Sequence, residues 1–366
     1  MKYDRKRRIL FVAPFPPPLH GSAVVSQQIR DSALINSTFH CDYVNLSASR
    51  KLNEVGKPGL VKIWRMFSAL CALMGKLLTR RYDICCLAVA CHGTAFLKDA
   101  PFVLACKLFC RKIVIQQHNK GMSAYVDRWP YRWLLPMVYR DTTVILLSGR
   151  LYPDIERVVP KENVLVCPNG IRVGTDGTHE RLENDVPRLL FLSNLLETKG
   201  VFVLLDALKI LSDKGIPFEC TFVGAESKEI DAGRFTKEVE RRGLGRMVSY
   251  LGRKTGEAKE QEYAKSDLFI FPSYDECFGI VLLEAMSHRL PIVTTDEGGI
   301  PDLVEDGVNG LISERKNPES LARCIETLLA APELRNKMGE EGYRILHEKF
   351  TEEVFLRRIC DIFTNL

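Results

Sequence analysis

Short apolar runs recur along this chain, each followed by room for one amphipathic helix, and that alternation is the tightest constraint on its fold. Ile9–Ala13, Cys41–Leu46, Ile84–Ala88, Ile113–Gln117, Val144–Leu147 and Val164–Cys167 read as strands in the first half. Arg188–Leu192, Cys220–Val223, Val248–Leu251, Leu268–Phe271 and Ile292–Thr294 read as strands in the second. Strands alternating with helices imply parallel α/β sheets. A chain of 366 residues also exceeds the size at which a single core keeps growing. A turn at Asn169-Gly170 leads into the polar, non-periodic stretch 172–185, the natural linker. The expected architecture is therefore two doubly wound, Rossmann-like domains facing a cleft. Their expected bounds are residues 1–171 and 187–350, with a linker over 172–186 and a separate C-terminal helix over 351–366.

Hydrophobic content of 46% and charged content of 27% belong to an ordinary globular protein and exclude collagenous, disordered and disulfide-scaffold classes. The basic start, Met1 to Arg8, runs straight into a strand and then prolines, so no secretory leader is expected. Twelve cysteines, several inside apolar runs (Cys71, Cys85, Cys86, Cys106), read as small buried hydrophobes in a reducing, cytoplasmic setting, and no metal site is expected.

Charge divides the chain. Residues 1–180 hold 26 Lys and Arg against 13 Asp and Glu, and residues 181–366 hold 25 against 33, so the halves carry +13 and −8. A basic half suits nucleic acid, anionic lipid or a phosphorylated substrate. No nucleic-acid module accompanies it. Leu60 to Arg81 is apolar round much of a helix and carries Lys62, Arg65, Lys76, Arg80 and Arg81, but its uncharged core, Met66 to Gly75, is too short to span a bilayer. Two readings fit: a buried helix with a basic rim, or a face lying on an anionic membrane surface. The aromatic and basic run Trp129 to Arg140 adds to the second.

The residues that point to chemistry cluster in the second half. Glu276 and Glu284 enclose Cys-Phe-Gly-Ile-Val-Leu-Leu immediately after the strand ending near Phe271. With a helix starting near Gly279, Glu276 lies on the loop at a strand's carboxyl end and Glu284 projects from the second helical turn, so both can face one crevice. Between them, free N–H groups of Phe278, Gly279 and Ile280 are expected at a helix N-terminus that suits a phosphate oxygen. Hydroxyl-binding acids flanking an anion site match a nucleotide-linked sugar. Lys199, at the start of the helix after Leu189 to Asn194, opposes the helix dipole unless an anion lies between them, which makes it a diphosphate ligand. In the first half, prolines stiffen the loop after Ala13, Gly21 lets a phosphate or sugar approach the backbone, and Ser22 is expected to cap the helix.

Tyr274 to Pro291, followed by Asp296-Glu-Gly-Gly-Ile-Pro301, resembles the signature of retaining glycosyltransferases of family 4 (glycosyl transferases group 1). The resemblance implies the GT-B fold, with the C-terminal helix near Thr351–Asn365 crossing back onto the first domain. It implies that Glu276 contacts the transferred sugar and Glu284 the nucleotide ribose, with His118 at the sugar or reaction centre. Where the family usually has Arg this chain has Asn194, and Arg253 is the candidate to compensate at the phosphates. Where the family tends to have a second glycine this chain has Ser22. Gly298-Gly299, before an expected short helix Ile300–Glu305, line the same crevice or serve as turn glycines; His20 and His92 carry no comparable context.

The implied reaction moves a sugar, with retention, from a UDP- or GDP-sugar to a glycan or polyprenyl-linked glycan, in bacterial surface polysaccharide synthesis. The sequence has no Asp-any-Asp pair, so Lys199 and helix N-termini are expected to replace a metal at the leaving diphosphate, and no cofactor is expected. A phosphorylase or epimerase on the same scaffold, or a binding-only partner subunit, stays open at this point.

Overall fold

A computed structural model describes residues 5–17, 21–47, 60–174 and 184–366. The chain divides into two compact units, Met1–Asn169 with Glu352–Leu366, and Gly170–Thr351. Most of the expected linker, residues 175–183, lies outside the described residues.

The first unit contains β1 (Arg8–Ala13), β2 (His40–Asn45), β3 (Ile84–Ala88), β4 (Lys112–Gln117), β5 (Thr143–Leu146) and β6 (Val164–Val166). They form one parallel sheet in the order β2-β1-β3-β4-β5-β6. β3 and nearly all of β1 and β4 are buried, as strands covered on both faces must be. Helices α1 (Gly21–Asp31), α2 (Ala33–Thr38), α3 (Leu60–Thr79), α4 (Gly93–Phe109) and α5 (Tyr131–Tyr139) connect them. The C-terminal helix, Glu352–Asn365, packs on α1 and α2. Its Phe363 meets Phe11 and Phe39 edge-on at 5.6 and 6.3 Å, and its carbonyl accepts the Arg7 guanidinium at 2.7 Å.

α3 departs from the usual rule for a covering helix. Only Leu73 and Leu77 are buried, while Val61, Ile63, Trp64 and Phe67 are 61%, 67%, 68% and 58% exposed. Ile63, Trp64, Phe67 and Cys71 follow helical spacing, so a solvent-facing apolar stripe runs along its first half. The fully buried helix is therefore not what forms. Its C-terminal end is fixed by charge instead. Asp42 on β2 accepts Lys76 at 3.0 Å, Arg80 at 2.8 Å and the Tyr82 hydroxyl at 2.9 Å. Among the described residues no helix is long and apolar enough to cross a membrane.

The second unit contains β7 (Arg188–Leu192), β8 (Glu219–Val223), β9 (Val248–Tyr250), β10 (Leu268–Phe271), β11 (Ile292–Thr295) and β12 (Gly310–Ser313). These form a second parallel sheet, ordered β12-β11-β10-β7-β8-β9. Its helices are α6 (Val201–Asp213), α7 (Ala232–Arg241), α8 (Glu257–Ala264), α9 (Ile280–Ser287), α10 (Pro318–Ala330) and α11 (Pro332–Lys349). α6 turns Leu204, Leu205, Leu208 and Leu211 inward against Leu321, Ile325 and Leu328 of α10, and Phe191, Phe222 and Phe235 continue that core. β12 was not foreseen: it is short, half-buried at its centre and opens on a glycine whose backbone lies against the Ile292 carbonyl. The expected helix Ile300–Glu305 is a single 3-10 turn, Ile300–Asp302.

Both sheets reverse direction at their first strand. In such sheets ligands bind outside the carboxyl ends of the strands, at the point of reversal. For the second unit that point lies between β7 and β10, and the loops following those two strands carry Lys199 and Glu276.

Candidate active site at the reversal point of the second sheet

The loop after β7 is pressed onto the end of β10. Gly200 sits at φ 78°, and a Cβ there would lie 2.2 Å from the Pro272 carbonyl oxygen, so only glycine lets the two loops touch. The Thr198 carbonyl then accepts the Tyr274 N–H at 2.9 Å and the Ser273 hydroxyl at 3.2 Å. This docking brings Lys199 to the Glu276 turn. Its ammonium donates to the Asp275 carbonyl at 2.7 Å and to Glu276 Oε2 at 3.0 Å, with both side chains of the pair about four-fifths buried.

The other Glu276 oxygen turns back on its own loop. Oε1 accepts the N–H of Cys277 at 2.9 Å and of Phe278 at 3.3 Å. The Phe278 N–H is therefore not free, a correction to the sequence reading: a carboxylate two residues upstream satisfies it. The Phe278 ring is buried and meets Phe350 edge-on at 6.2 Å. Gly279, at φ 87°, is the N-cap of α9 and supplies no capping side chain, so the first turn beginning at Ile280 gets none. Gly298, at φ 55°, closes the arrangement from β11. A Cβ on it would lie 2.0 Å from the Glu276 carbonyl oxygen, and the Gly299 N–H donates to the Cys277 carbonyl at 2.9 Å. This glycine pair is a close-approach device beside the acid, and the Gly298-Gly299 spacing was its only sequence signal.

Glu284 projects from the second turn of α9. Oε1 accepts Lys259 at 2.6 Å and Oε2 accepts the Tyr263 hydroxyl at 2.9 Å. Sequence reasoning missed both partners, because their helix, α8, carries no motif and a weak apolar pattern. Burial beside that carboxylate pushes the Tyr263 hydroxyl well above its ordinary pKa, so it stays a hydrogen-bond donor throughout the working range. Asn194 and Arg253 are both exposed, on the loops after β7 and β9, and among the described residues Arg253 forms no ion pair. A second missed cluster holds the loop after β11, where Arg315 bridges Asp296 at 2.8 Å and Glu297 at 2.6 Å.

The remaining candidates lie in the first unit. Gly21 and Ser22 are the first two residues of α1, so Ser22 stands inside the helix, two steps past the capping position, and its carbonyl accepts the Ser26 hydroxyl at 2.8 Å. His20 lies outside the described residues. His118 is half-buried just beyond β4. Its loop is tied down by Asp154, which accepts the N–H groups of Gly121, Met122 and Ser123 at 2.8, 3.0 and 3.1 Å. Asn119 adds a bridge, accepting from the Cys91 N–H at 3.2 Å and the Gln117 amide at 3.0 Å. His92 acquires a setting the sequence did not show: it stacks on Tyr125 at 4.9 Å, with Gly121 against its ring.

Residues 178–345 match the family model "Glycosyl transferases group 1". An uncharacterized glycosyltransferase of Methanocaldococcus jannaschii is 30% identical over 187 residues, 50% of each chain. The alpha-D-kanosaminyltransferase of Streptomyces kanamyceticus is 25% identical over 317 residues, 80% of each. An amylovoran biosynthesis glycosyltransferase of Erwinia amylovora is 27% identical over 278 residues, 70% of this chain and 61% of that one. The chain thus spans about half the length of the first of these relatives. Among solved structures, the sucrose-phosphate synthase of Thermosynechococcus elongatus superposes with a TM-score of 0.77 at 17% identity, covering 98% of this chain and 99% of that one. The Anabaena Alr3699/HepE structure in complex with UDP gives 0.75 at 19%, covering 98% and 100%. The chain has the GT-B fold, and its second unit is a domain of the glycosyl transferases group 1 family.

Proposed function

We propose that the protein is a retaining glycosyltransferase of family 4 that moves a sugar from a UDP- or GDP-sugar to a glycan or polyprenyl-linked glycan, in bacterial surface polysaccharide synthesis. The observation that carries this reading is the Lys199–Glu276 pair at the reversal point, with Glu284 one helical segment away. The relative named for amylovoran biosynthesis and the neighbour solved with UDP support the donor and pathway class.

In this reading the diphosphate draws on the Lys199 ammonium, which has three donors and uses two on Asp275 and Glu276. Asn194, Arg253 and the N–H groups of Gly279 and Ile280 add polar contacts to the phosphates; in the first unit, Gly21 and Ser22 offer a backbone that a phosphate or sugar can approach closely. Glu276 positions the sugar and stabilises the positive charge that grows on its anomeric carbon, and Glu284 takes the ribose hydroxyls; in the first unit, His118 is the candidate sugar contact. The bond from the anomeric carbon to the phosphate oxygen breaks while the acceptor oxygen bonds to the same face. The departing phosphate oxygen takes the acceptor's proton. Lys199 meets the growing charge on the leaving group without a metal ion. Nucleoside diphosphate release from a panel of UDP- and GDP-sugars in chelator, with Glu276→Ala as control, tests this. Release from one donor, lost in the variant, is expected; nucleotide binding without release from any donor and acceptor pair would point to a partner subunit instead.

The second part of the proposal concerns location: the first unit rests on an anionic membrane at its cytoplasmic face. Its support is the solvent-facing stripe of Ile63, Trp64 and Phe67 on α3, together with Trp129 and Trp133, 81% and 61% exposed, at α5. Each Lys or Arg held near such a surface contributes about 1 kcal/mol. Co-sedimentation with anionic but not zwitterionic liposomes at low salt is the expected result.

A further inference from the structure

The environment of Glu284 is more specific than a helix-surface acid requires. A glutamate on an exposed helical turn samples several rotamers, and presenting a carboxylate squarely to a pair of ribose hydroxyls requires fixing its plane. Here each oxygen has its own donor, and both donors come from α8: Lys259 on Oε1 at 2.6 Å and Tyr263 on Oε2 at 2.9 Å. Each carboxylate oxygen keeps acceptor capacity for a hydroxyl. Lys259 and Glu284 are each about a fifth exposed, so the pair is sheltered yet reachable.

The donors are themselves held. Tyr263 is fully buried, and is the only buried residue of α8. Its ring stacks on His288 at 5.3 Å and 12°, His288 Nε2 lies 2.8 Å from Glu260, and Glu260 lies 3.6 Å from Lys259. The polar chain thus closes on itself, joining α8 to α9 around one carboxylate. We propose that Lys259 and Tyr263 are positioning residues which orient Glu284 toward the nucleotide's ribose, so that α8 sets donor affinity through the ribose rather than through the base or phosphates. The inference rests on the reading above in which Glu284 meets the ribose.

The test compares binding of UDP and GDP with that of their 2′,3′-dideoxy counterparts, by titration calorimetry, on the full chain. The native protein is expected to prefer the ribonucleotide, and Glu284→Ala to erase that preference. Lys259→Met and Tyr263→Phe should each cut the preference about tenfold while leaving the dideoxy affinity unchanged, and Lys259→Arg should restore most of it. A merely structural clip would weaken both nucleotides in parallel, and that outcome, or a native preference in both variants, overturns the proposal. The two readings fail differently. If Glu284→Ala keeps the native preference, or if the native chain binds neither nucleotide, the ribose assignment falls and takes the positioning role with it. If Glu284→Ala loses the preference and the α8 variants do not, only the positioning role falls.

Discussion

The two units share a parallel sheet that reverses at its first strand, but they distribute apolar surface in opposite ways. Thirteen of the fifteen large apolar side chains standing exposed among the described residues belong to the first unit, and only Val186 and Leu251 to the second. The second unit directs its sequence inward, with a continuous α6–α10 core and a set of interlocked loops around Glu276. The first holds an equally well-buried sheet but leaves the stripe of α3 and the tryptophans near α5 in solvent, beside a net charge of +13 over residues 1–180. One sheet plan thus supports two kinds of surface. Burial of the strands fixes the fold, and the outer faces of the helices are left to meet different partners.

The sharpest way to break the comparison is through the site of the second unit. Glu276→Ala is expected to lower turnover about 10²–10³-fold, in the range for removing one preorganised electrostatic contact. An equal loss from a substitution in the α3 stripe, assayed with a soluble acceptor, would show that the division of labour is wrong. Gly298→Ala should come next, destabilising the second unit by about 3 kcal/mol, because φ 55° strains any other residue and the new methyl would meet the Glu276 carbonyl. Chemical denaturation followed by a probe in each unit separates that effect from the first unit.

On the other side, replacing Trp64 and Phe67 together by Ala should weaken anionic liposome binding about a hundredfold or more, given about 1.5–3 kcal/mol for each large apolar side chain removed from water. Turnover of a soluble acceptor should be unchanged. Retained liposome binding would locate the membrane face elsewhere. The smallest expected effect concerns Asp42. Burial alone would raise its pKa, but hydrogen bonds from Arg80, Lys76 and Tyr82 outweigh burial and hold the carboxyl below its usual range. A depressed pKa contributes stability above the unfolded value of about 4, lost as pH falls through the folded value. Asp42→Asn should therefore cost about 1.5 kcal/mol at neutral pH and flatten the acid limb of the first unit's stability profile.

Much of this was legible in the residues. Strand runs such as Ile9–Ala13 and Leu268–Phe271 are apolar at every position, and fully buried parallel strands leave no other pattern. Their ends shifted by one residue, as at β2 and β5, where the last ladder bond depends on the neighbouring strand. β12 escaped notice because a half-buried edge strand opening on glycine has little apolar signal of its own. The Glu276 to Glu284 spacing and the position of Lys199 could be read directly, since a strand end and a helix start dictate where neighbouring side chains emerge. That Lys199 would bond Glu276 itself could not, because 77 residues separate them along the chain.

By itself, then, the sequence determined the two α/β units, the reversal-point loops and the acids upon them, since periodicity and local turn chemistry act within a few residues. Only the tertiary structure decided which donors hold those acids, that Gly200 and Gly298 exist to let backbones touch, and that the apolar stripe of α3 faces solvent. Each of these depends on contacts between distant segments, and a local pattern records which face of a helix is apolar without recording what lies opposite it.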